Sequence, residues 1–125
     1  MGAQAVAQPT EAQVTLAAEI LKLMADPSRL RIIWALLHGE HSVTELADHV
    51  GAQPAAVSQH LAKLRLARLV KTRREGNFVF YQAEDDHIRR LVEEALFHAD
   101  HLVRGLPDHR KRRSALPTRT ETGRS

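Results

Sequence analysis

The amino-acid sequence predicts a mainly α-helical domain with one β-hairpin, an α+β fold, and three observations predict it. Apolar residues recur at three- and four-residue steps along most of the chain, which is the spacing of one helix face. Around Glu75-Gly76-Asn77 this period changes, and a glycine there permits the positive φ of a tight hairpin turn. The 125 residues are 43% hydrophobic and 26% charged, which is the composition of one ordered domain with tails.

Two helices are expected in the first third of the chain. Apolar residues repeat at helical spacing over about 10–25, after a small, polar and flexible N-terminus at 1–9. A second helix begins at Asp26, because aspartate can cap the first turn and Pro27 loses no hydrogen bond there. Gly39 ends this second helix.

The third and fourth helices are joined by about three residues. Ser42 and Glu45 form a capping box, in which each side chain accepts a hydrogen bond from a backbone N–H at the start of the helix. Gly51 ends this short helix, and the fourth helix opens at 53–54 and runs to about 67.

A hairpin and one long helix complete the domain. The strands cover 69–74 and 78–81, and the last helix follows over about 85–104. Two helices joined by a brief turn and followed by a two-stranded wing describe a winged helix-turn-helix that spans 10–104. A generic small α+β domain is the alternative. Residues 105–125 are expected to form a basic, disordered tail.

The net charge of +3 is unevenly distributed. Residues 104–125 contain seven basic and two acidic side chains and so carry +5, whereas residues 1–103 carry −2. Residues 51–72 contain basic side chains and no acids, while residues 84–100 contain six acids and two arginines. We therefore expect one surface that binds phosphate and another that binds cations.

The fourth helix and the hairpin supply the residues expected to contact DNA. Glutamine can pair with adenine and serine can bond to base edges, whereas the basic side chains that follow suit backbone phosphates. The predicted DNA-binding residues are Gln53, Ser58, Gln59, His60, Lys63, Arg65, Arg73, Arg74 and Asn77. Arg68 and Lys71 extend the same basic stripe. For any one of these residues, an ordinary solvent-exposed side chain is the alternative.

Four metal-ligating side chains are spaced along the last helix. His98 and His101 share one face, but His87 precedes His98 by eleven residues, about 16 Å along the helix axis. Because metal–nitrogen bonds are about 2.0–2.1 Å long, His87 and His98 of one chain cannot bind the same ion. If two copies of the helix pack antiparallel, Asp85 and His87 of one chain meet the partner's His98 and the partner's His101.

This spacing predicts a homodimer with two equivalent sites, each made of one carboxylate and three imidazoles. The apolar faces of the first and last helices suit the dimer interface. Four such ligands favour tetrahedral zinc or cobalt, and His109 as an additional ligand favours six-coordinate nickel or cobalt. The alternative is a DNA-binding regulator without metal induction, in which the histidines only pack the interface.

Other classes of function are excluded or disfavoured. Without cysteine the chain has no disulfide, thiolate zinc cluster or cysteine nucleophile. No run of 18 apolar residues and no signal peptide are found, so we expect a cytoplasmic protein without a membrane partner. A hydrolytic zinc site needs an open coordination position, whereas all four ligands are consumed here, so we expect neither an enzyme nor an organic substrate.

Four motifs, in this order, resemble those of the ArsR/SmtB family of bacterial repressors. They are Ala25-Asp26-Pro27-Ser28-Arg29, Glu45-Leu46-Ala47, Val57-Ser58-Gln59-His60-Leu61-Ala62-Lys63-Leu64, and the Arg74-Glu75-Gly76 hairpin closing on Tyr81. The resemblance covers about 12–104 and implies a homodimeric winged-helix repressor that leaves its palindromic operator when an inducer binds. It also implies that Asp85, His87, His98 and His101 form the interhelical site of members that sense zinc, cobalt or nickel.

The chain departs from the family pattern in one helix. Members that sense arsenic, cadmium or lead carry a cysteine pair before the recognition helix, where residues 43–48 of this chain offer no thiolate. Thiol-based sensing is therefore excluded. Nickel- and cobalt-sensing members recruit ligands from a terminal extension, where this chain has His109 but no N-terminal histidine. The expected inducer is zinc, with nickel or cobalt as alternatives, and the expected targets are metal efflux or homeostasis genes.

Overall fold

The computed structural model describes residues 8–105. Within this range lie five α-helices and a two-stranded antiparallel sheet, which confirms the predicted fold class. The elements are α1 (Glu11–Met24), α2 (Pro27–Leu37), α3 (Val43–Val50), α4 (Pro54–Leu66), β1 (Val70–Glu75), β2 (Phe78–Ala83) and α5 (Asp86–Arg104). The predicted flexible N-terminus and basic tail lie almost entirely outside the described residues.

Short-range capping bonds fix where the first three helices begin. Thr10 and Gln13 form a reciprocal capping box at α1, with bonds of 3.1 and 2.9 Å, which the sequence prediction did not name. The predicted box of Ser42 and Glu45 is confirmed at α3, with bonds of 3.2 and 2.9 Å. Asp26 caps α2, also as predicted.

The ends of α3 and α4 use the same left-handed backbone conformation with different residues. Gly51 ends α3 with a φ of 67°, as the sequence predicts. After α4 the left-handed residue is Arg68, with a φ of 60°. The N–H of Leu69 bonds to the carbonyl of Leu64 at 2.9 Å, and the N–H of Arg68 bonds to that of Arg65 at 3.0 Å. This is a Schellman motif with arginine in the position that usually holds glycine.

The hairpin turn is one residue shorter than the sequence predicted. Glu75, which was predicted in the turn, pairs as the last residue of β1, so the turn contains only Gly76 and Asn77. Gly76 has a φ of 61°, as the first position of a type II′ turn requires. Strand β2 runs to Ala83, two residues past its predicted end, because that residue pairs with the first residue of β1.

The hydrophobic core of residues 8–89 joins α2, α3, α4 and β1. Its side chains that are less than 2% exposed are Ile32, Ile33, Leu46, Val57, Leu61, Leu64, Leu69 and Val70. Two backbone hydrogen bonds between His41 and Tyr81, of 3.0 and 2.8 Å, attach β2 to the loop before α3. The Arg89 guanidinium donates to the carbonyl of Leu37, which fixes the first turn of α5 to the end of α2. The helix-turn-helix and the wing are therefore anchored to one core.

Helix α5 crosses the boundary between two compact units, Met1–Arg89 and Arg90–Ser125. On the predicted apolar face of α5, Ile88 and Val92 are buried. The exposed large apolar side chains of α5 are Leu91, Leu96, Phe97, Leu102 and Val103, and those of α1 are Val14, Leu16 and Leu21. In the single chain, much of the apolar surface of both helices is therefore open to solvent.

Candidate DNA interface and metal ligands

The buried stripe of α4 determines which of its side chains face solvent. Because α4 buries Val57, Leu61 and Leu64, the neighbouring residues Ser58 and Gln59 are exposed. Gln53 sits at the N-cap without a side-chain capping bond and is exposed too. All three polar residues predicted to contact bases are therefore on the surface of the helix-turn-helix and open to a partner.

His60 differs from its polar neighbours because its ring is half-buried and already bonded. Arg29 Nε donates to Nδ1 of His60 at 3.0 Å. The sequence prediction treated His60 as a DNA-contacting residue and gave Arg29 no role. The motif Asp26 to Arg29 resembled a family signature, but nothing in its spacing pointed to a contact 31 positions along the chain.

Basic side chains surround the end of α4 and the start of the wing. Lys63, Arg65, Arg68 and Lys71 are all exposed. They form a positively charged strip along the C-terminal half of α4 and into β1, as the charge distribution predicts. Exposed lysine and arginine side chains in such a row suit the phosphate backbone of DNA.

On the wing, Arg74 and Asn77 are exposed, whereas Arg73 is held by other protein groups. The Arg73 guanidinium binds Glu40 in the loop after α2 and Glu75 on its own strand, and it lies 4.9 Å from the ring centroid of Phe80. The hydrogen bonds that Arg73 donates to these carboxylates, to Glu40 foremost, raise the pKa of Arg73 above its already high ordinary value. Arg73 therefore connects the wing to the helix-turn-helix in the free protein.

Three of the predicted metal ligands lie on α5, and Asp85 immediately precedes it. Asp85, His87, His98 and His101 are all exposed. Asp85 Oδ1 accepts the N–H of Ile88 at 3.2 Å, so Asp85 also caps the helix. The described residues of one chain contain no group of three or more histidine, aspartate or glutamate side chains that could hold a metal ion.

Two neighbouring residues bear on the ligand assignment. Asp100 lies between the two C-terminal histidines but bonds to Arg104 at 2.8 Å, which raises the pKa of that guanidinium. This contact agrees with leaving Asp100 out of the ligand set. His109, the predicted additional ligand, lies outside the described residues.

The family of the chain follows from its relatives. A family model described as "Bacterial regulatory protein, arsR family" matches residues 26–72, from before α2 into β1. The HTH-type transcriptional regulator KmtR of Mycobacterium tuberculosis is 47% identical over 104 residues, which covers 83% of this chain and 80% of that protein.

Among the described residues, no helix combines the length and apolar character needed to cross a membrane.

Two solved structures match the fold. The homodimeric winged helix-turn-helix DNA-binding domain of Mb0332 from Mycobacterium bovis has a TM-score of 0.70 and 28% identity, covering 82% of this chain and 98% of that one. The antimony-specific transcriptional repressor AntR has a TM-score of 0.68 and 30% identity, covering 79% and 97%. The chain thus belongs to the ArsR family of bacterial regulatory proteins, and it is a winged helix-turn-helix DNA-binding transcriptional regulator and not an enzyme.

Proposed function

We propose that the protein is a metal-sensing repressor whose metal-free homodimer binds a palindromic operator and releases it when a divalent transition metal binds. Each of two equivalent sites is formed by Asp85 and His87 of one protomer with the partner's His98 and the partner's His101. The observation that carries this proposal is the arrangement of four exposed donors in two groups, with Asp85 and His87 at the start of α5 and the two C-terminal histidines near its end.

Two copies of α5 are needed because the two groups of donors are too far apart on one helix. Eleven residues separate His87 from His98, which corresponds to about 16 Å of helix rise. Antiparallel packing of two α5 helices brings the N-terminal donors of one helix to the C-terminal donors of the other, and it generates two sites by symmetry. The exposed apolar side chains of α5 and α1 support this packing, because a second copy would remove them from water.

The donor set supports zinc as the inducer. One carboxylate and three imidazoles give four nitrogen and oxygen donors, which suits tetrahedral zinc or cobalt. Asp85 has one carboxylate oxygen engaged as a helix cap and its second oxygen left for an ion. If His109 joins the site, the larger donor set favours nickel or cobalt in six-coordinate geometry.

Release of DNA follows if the metal-bound dimer holds its recognition helices at an unsuitable distance. Two α4 helices in successive major grooves must lie roughly 34 Å apart. Ions that connect the two α5 helices favour the dimer geometry in which all four ligands meet. The coupling is reciprocal, so the operator weakens metal binding by the same factor as metal weakens operator binding.

The relatives support a regulator that responds to a metal or metalloid. The structural neighbour AntR is an antimony-specific transcriptional repressor. This chain has no cysteine, so we assign its response to an ion that accepts imidazole and carboxylate ligands. We place metal efflux or homeostasis genes under its control and the protein in the cytoplasm.

A titration of the protein–operator complex tests this proposal. Zinc, cobalt and nickel are added separately to the complex of the full chain with a duplex selected from a random library, and release is followed by fluorescence anisotropy. We expect zinc or another of these ions to release the wild-type protein and to have no effect on the His98→Ala variant. His49→Ala, which removes a histidine from α3 instead, serves as the control and should respond like the wild type.

Two outcomes contradict the proposal. If the His98→Ala variant is still released at the wild-type metal concentration, the ligand assignment is wrong. If equilibrium dialysis finds no stoichiometric binding of any of the three ions, the protein is a winged-helix regulator without metal induction.

A further inference from the structure

Arg29 connects three helices of the DNA-binding unit through its side chain. Its Nε donates to Nδ1 of His60 on α4 at 3.0 Å, and its Nη1 donates to the backbone carbonyl of Leu23 in the last turn of α1 at 3.1 Å. Its backbone N–H bonds to the Asp26 carboxylate, which caps α2, at 3.0 Å. Arg29 and His60 are both half-buried. The guanidinium is therefore held from two sides while it contacts the histidine.

This contact determines which nitrogen of His60 carries the proton. A guanidinium has N–H donors and no acceptor, so Nδ1 of His60 must be the acceptor and must be unprotonated. The neutral ring then carries its hydrogen on Nε2. A doubly protonated ring would place two N–H donors and two positive charges against each other at 3.0 Å, and so it is incompatible with this contact.

The other ring nitrogen of His60, Nε2, is not used by the contact with Arg29. Among residues 8–105, Nε2 of His60 has no hydrogen-bond partner. His60 directly follows the exposed Gln59 and precedes the exposed Lys63 by three positions, so its ring lies at the edge of the polar face of α4. Phosphate oxygens in DNA are acceptors only, and an Nε2–H donor matches them.

We propose that His60 donates from Nε2 to a phosphate of the operator and that Arg29 is the positioning residue that selects this tautomer. The proposal rests on α4 being the helix that enters the major groove. Because His60 contacts DNA as a neutral donor, it adds a hydrogen bond without displacing a counterion. It therefore contributes to affinity and leaves the salt dependence of binding unchanged.

The tautomer of His60 can be measured without any substitution. Long-range proton–nitrogen correlation spectra of the 125-residue chain distinguish a protonated from an unprotonated ring nitrogen. We expect Nδ1 of His60 to resonate as an unprotonated nitrogen in the wild type and as an averaged mixture of tautomers in Arg29→Met. A wild-type spectrum with the proton on Nδ1 overturns the proposal, whether or not the variant folds.

Binding to DNA is then compared in a double-mutant cycle of Arg29→Met and His60→Gln, with a selected duplex of about 30 base pairs as probe. Glutamine offers a donor that has no tautomers. We expect Arg29→Met to weaken binding by about threefold to tenfold when His60 is present and to have no further effect in the His60→Gln background. Arg31→Met removes the same charge from an exposed position of α2 and is the matched control.

The cycle separates positioning from a merely structural role. If Arg29→Met weakens binding equally in both backgrounds, Arg29 acts through the fold or contacts DNA itself, and the proposal is wrong. If Arg31→Met weakens binding as much as Arg29→Met, net charge explains the effect and the proposal is again wrong. Failure of the metal titration leaves this test unaffected, because the cycle contains no metal.

Discussion

The Arg73 guanidinium of β1 is bound by Glu40 in the loop after α2, with Nη2 at 2.6 Å and Nε at 2.9 Å from the same carboxylate oxygen. Both side chains are substantially exposed, at 44% and 35%. An ion pair in such a position contributes little to the stability of a fold, since water screens it. Its larger effect is electrostatic, because it neutralises a cation that would otherwise extend the positively charged strip of the proposed DNA-binding surface.

Removing Glu40 should therefore change DNA binding more than stability. We predict that Glu40→Gln removes the charge pair of Arg73 with Glu40, leaves its bond to Glu75, and lets the guanidinium bind a phosphate. The plot of log K against log salt should then steepen by about 0.9 for each additional phosphate contact. Affinity for duplex DNA should rise at low salt, while the melting temperature stays close to that of the wild type. Fluorescence anisotropy at several salt concentrations measures the slope.

Glu11→Gln is the control for this prediction, because it removes one exposed negative charge from α1 instead of the loop beside the wing. We expect it to leave the slope unchanged. An unchanged slope for Glu40→Gln would contradict the prediction, because Arg73 then makes no phosphate contact once its pairing with Glu40 is removed.

The left-handed Arg68 predicts a stabilising substitution. A residue with a side chain is strained at a φ of 60°, whereas glycine is not, so Arg68→Gly should raise the free energy of unfolding by about 0.5–1 kcal/mol. Arg65→Gly makes the same chemical change within α4, where glycine lowers stability by about 0.5–1 kcal/mol. Urea denaturation of both variants checks this, and a loss of stability in Arg68→Gly contradicts it.

The protonation of the Asp26 carboxylate affects the stability of the fold at low pH. The hydrogen bond from the backbone N–H of Arg29 lowers the pKa of Asp26 below its ordinary value of 3.8. The folded state then binds fewer protons than the unfolded state, so this contribution to stability is complete above about pH 4. It is lost as the pH falls through the lower pKa of the folded state.

Asp26→Asn keeps a capping side chain that does not titrate. We predict that the variant loses less stability than the wild type between about pH 4 and pH 2, as followed by thermal melting at each pH. Asp48→Asn, at an exposed position of α3, is the control and should follow the wild-type curve. Parallel curves for Asp26→Asn and the wild type would contradict the prediction.

The sequence predicted features of this fold that depend on nearby residues. The starts of α2 and α3 follow from Asp26 and from the pair Ser42 and Glu45, because a capping side chain and its backbone partner lie within three positions of each other. Gly51 marked the end of α3 because glycine adopts a left-handed φ without strain. Such signals require no knowledge of the tertiary structure.

Contacts between distant segments could not be predicted in the same way. Arg29 and His60 are 31 positions apart, and Arg73 and Glu40 are 33 apart. No helix or strand repeat in the sequence predicts a contact over such a separation. The left-handed Arg68 was missed because the sequence offers no glycine there. The proposed metal site is a contact between distant segments of a further kind, because its ligands come from two copies of the chain.

The central claim is that each metal site takes ligands from both protomers, and mixed dimers test it most directly. One chain carries Asp85→Ala and His87→Ala, the other carries His98→Ala and His101→Ala, and differently tagged copies are purified together. In the mixed dimer one site keeps all four ligands and the other loses all four. We predict one tightly bound zinc ion per mixed dimer and none in either variant homodimer. Mixed dimers that bind no zinc would contradict the claim, as would a variant homodimer that binds zinc like the wild type.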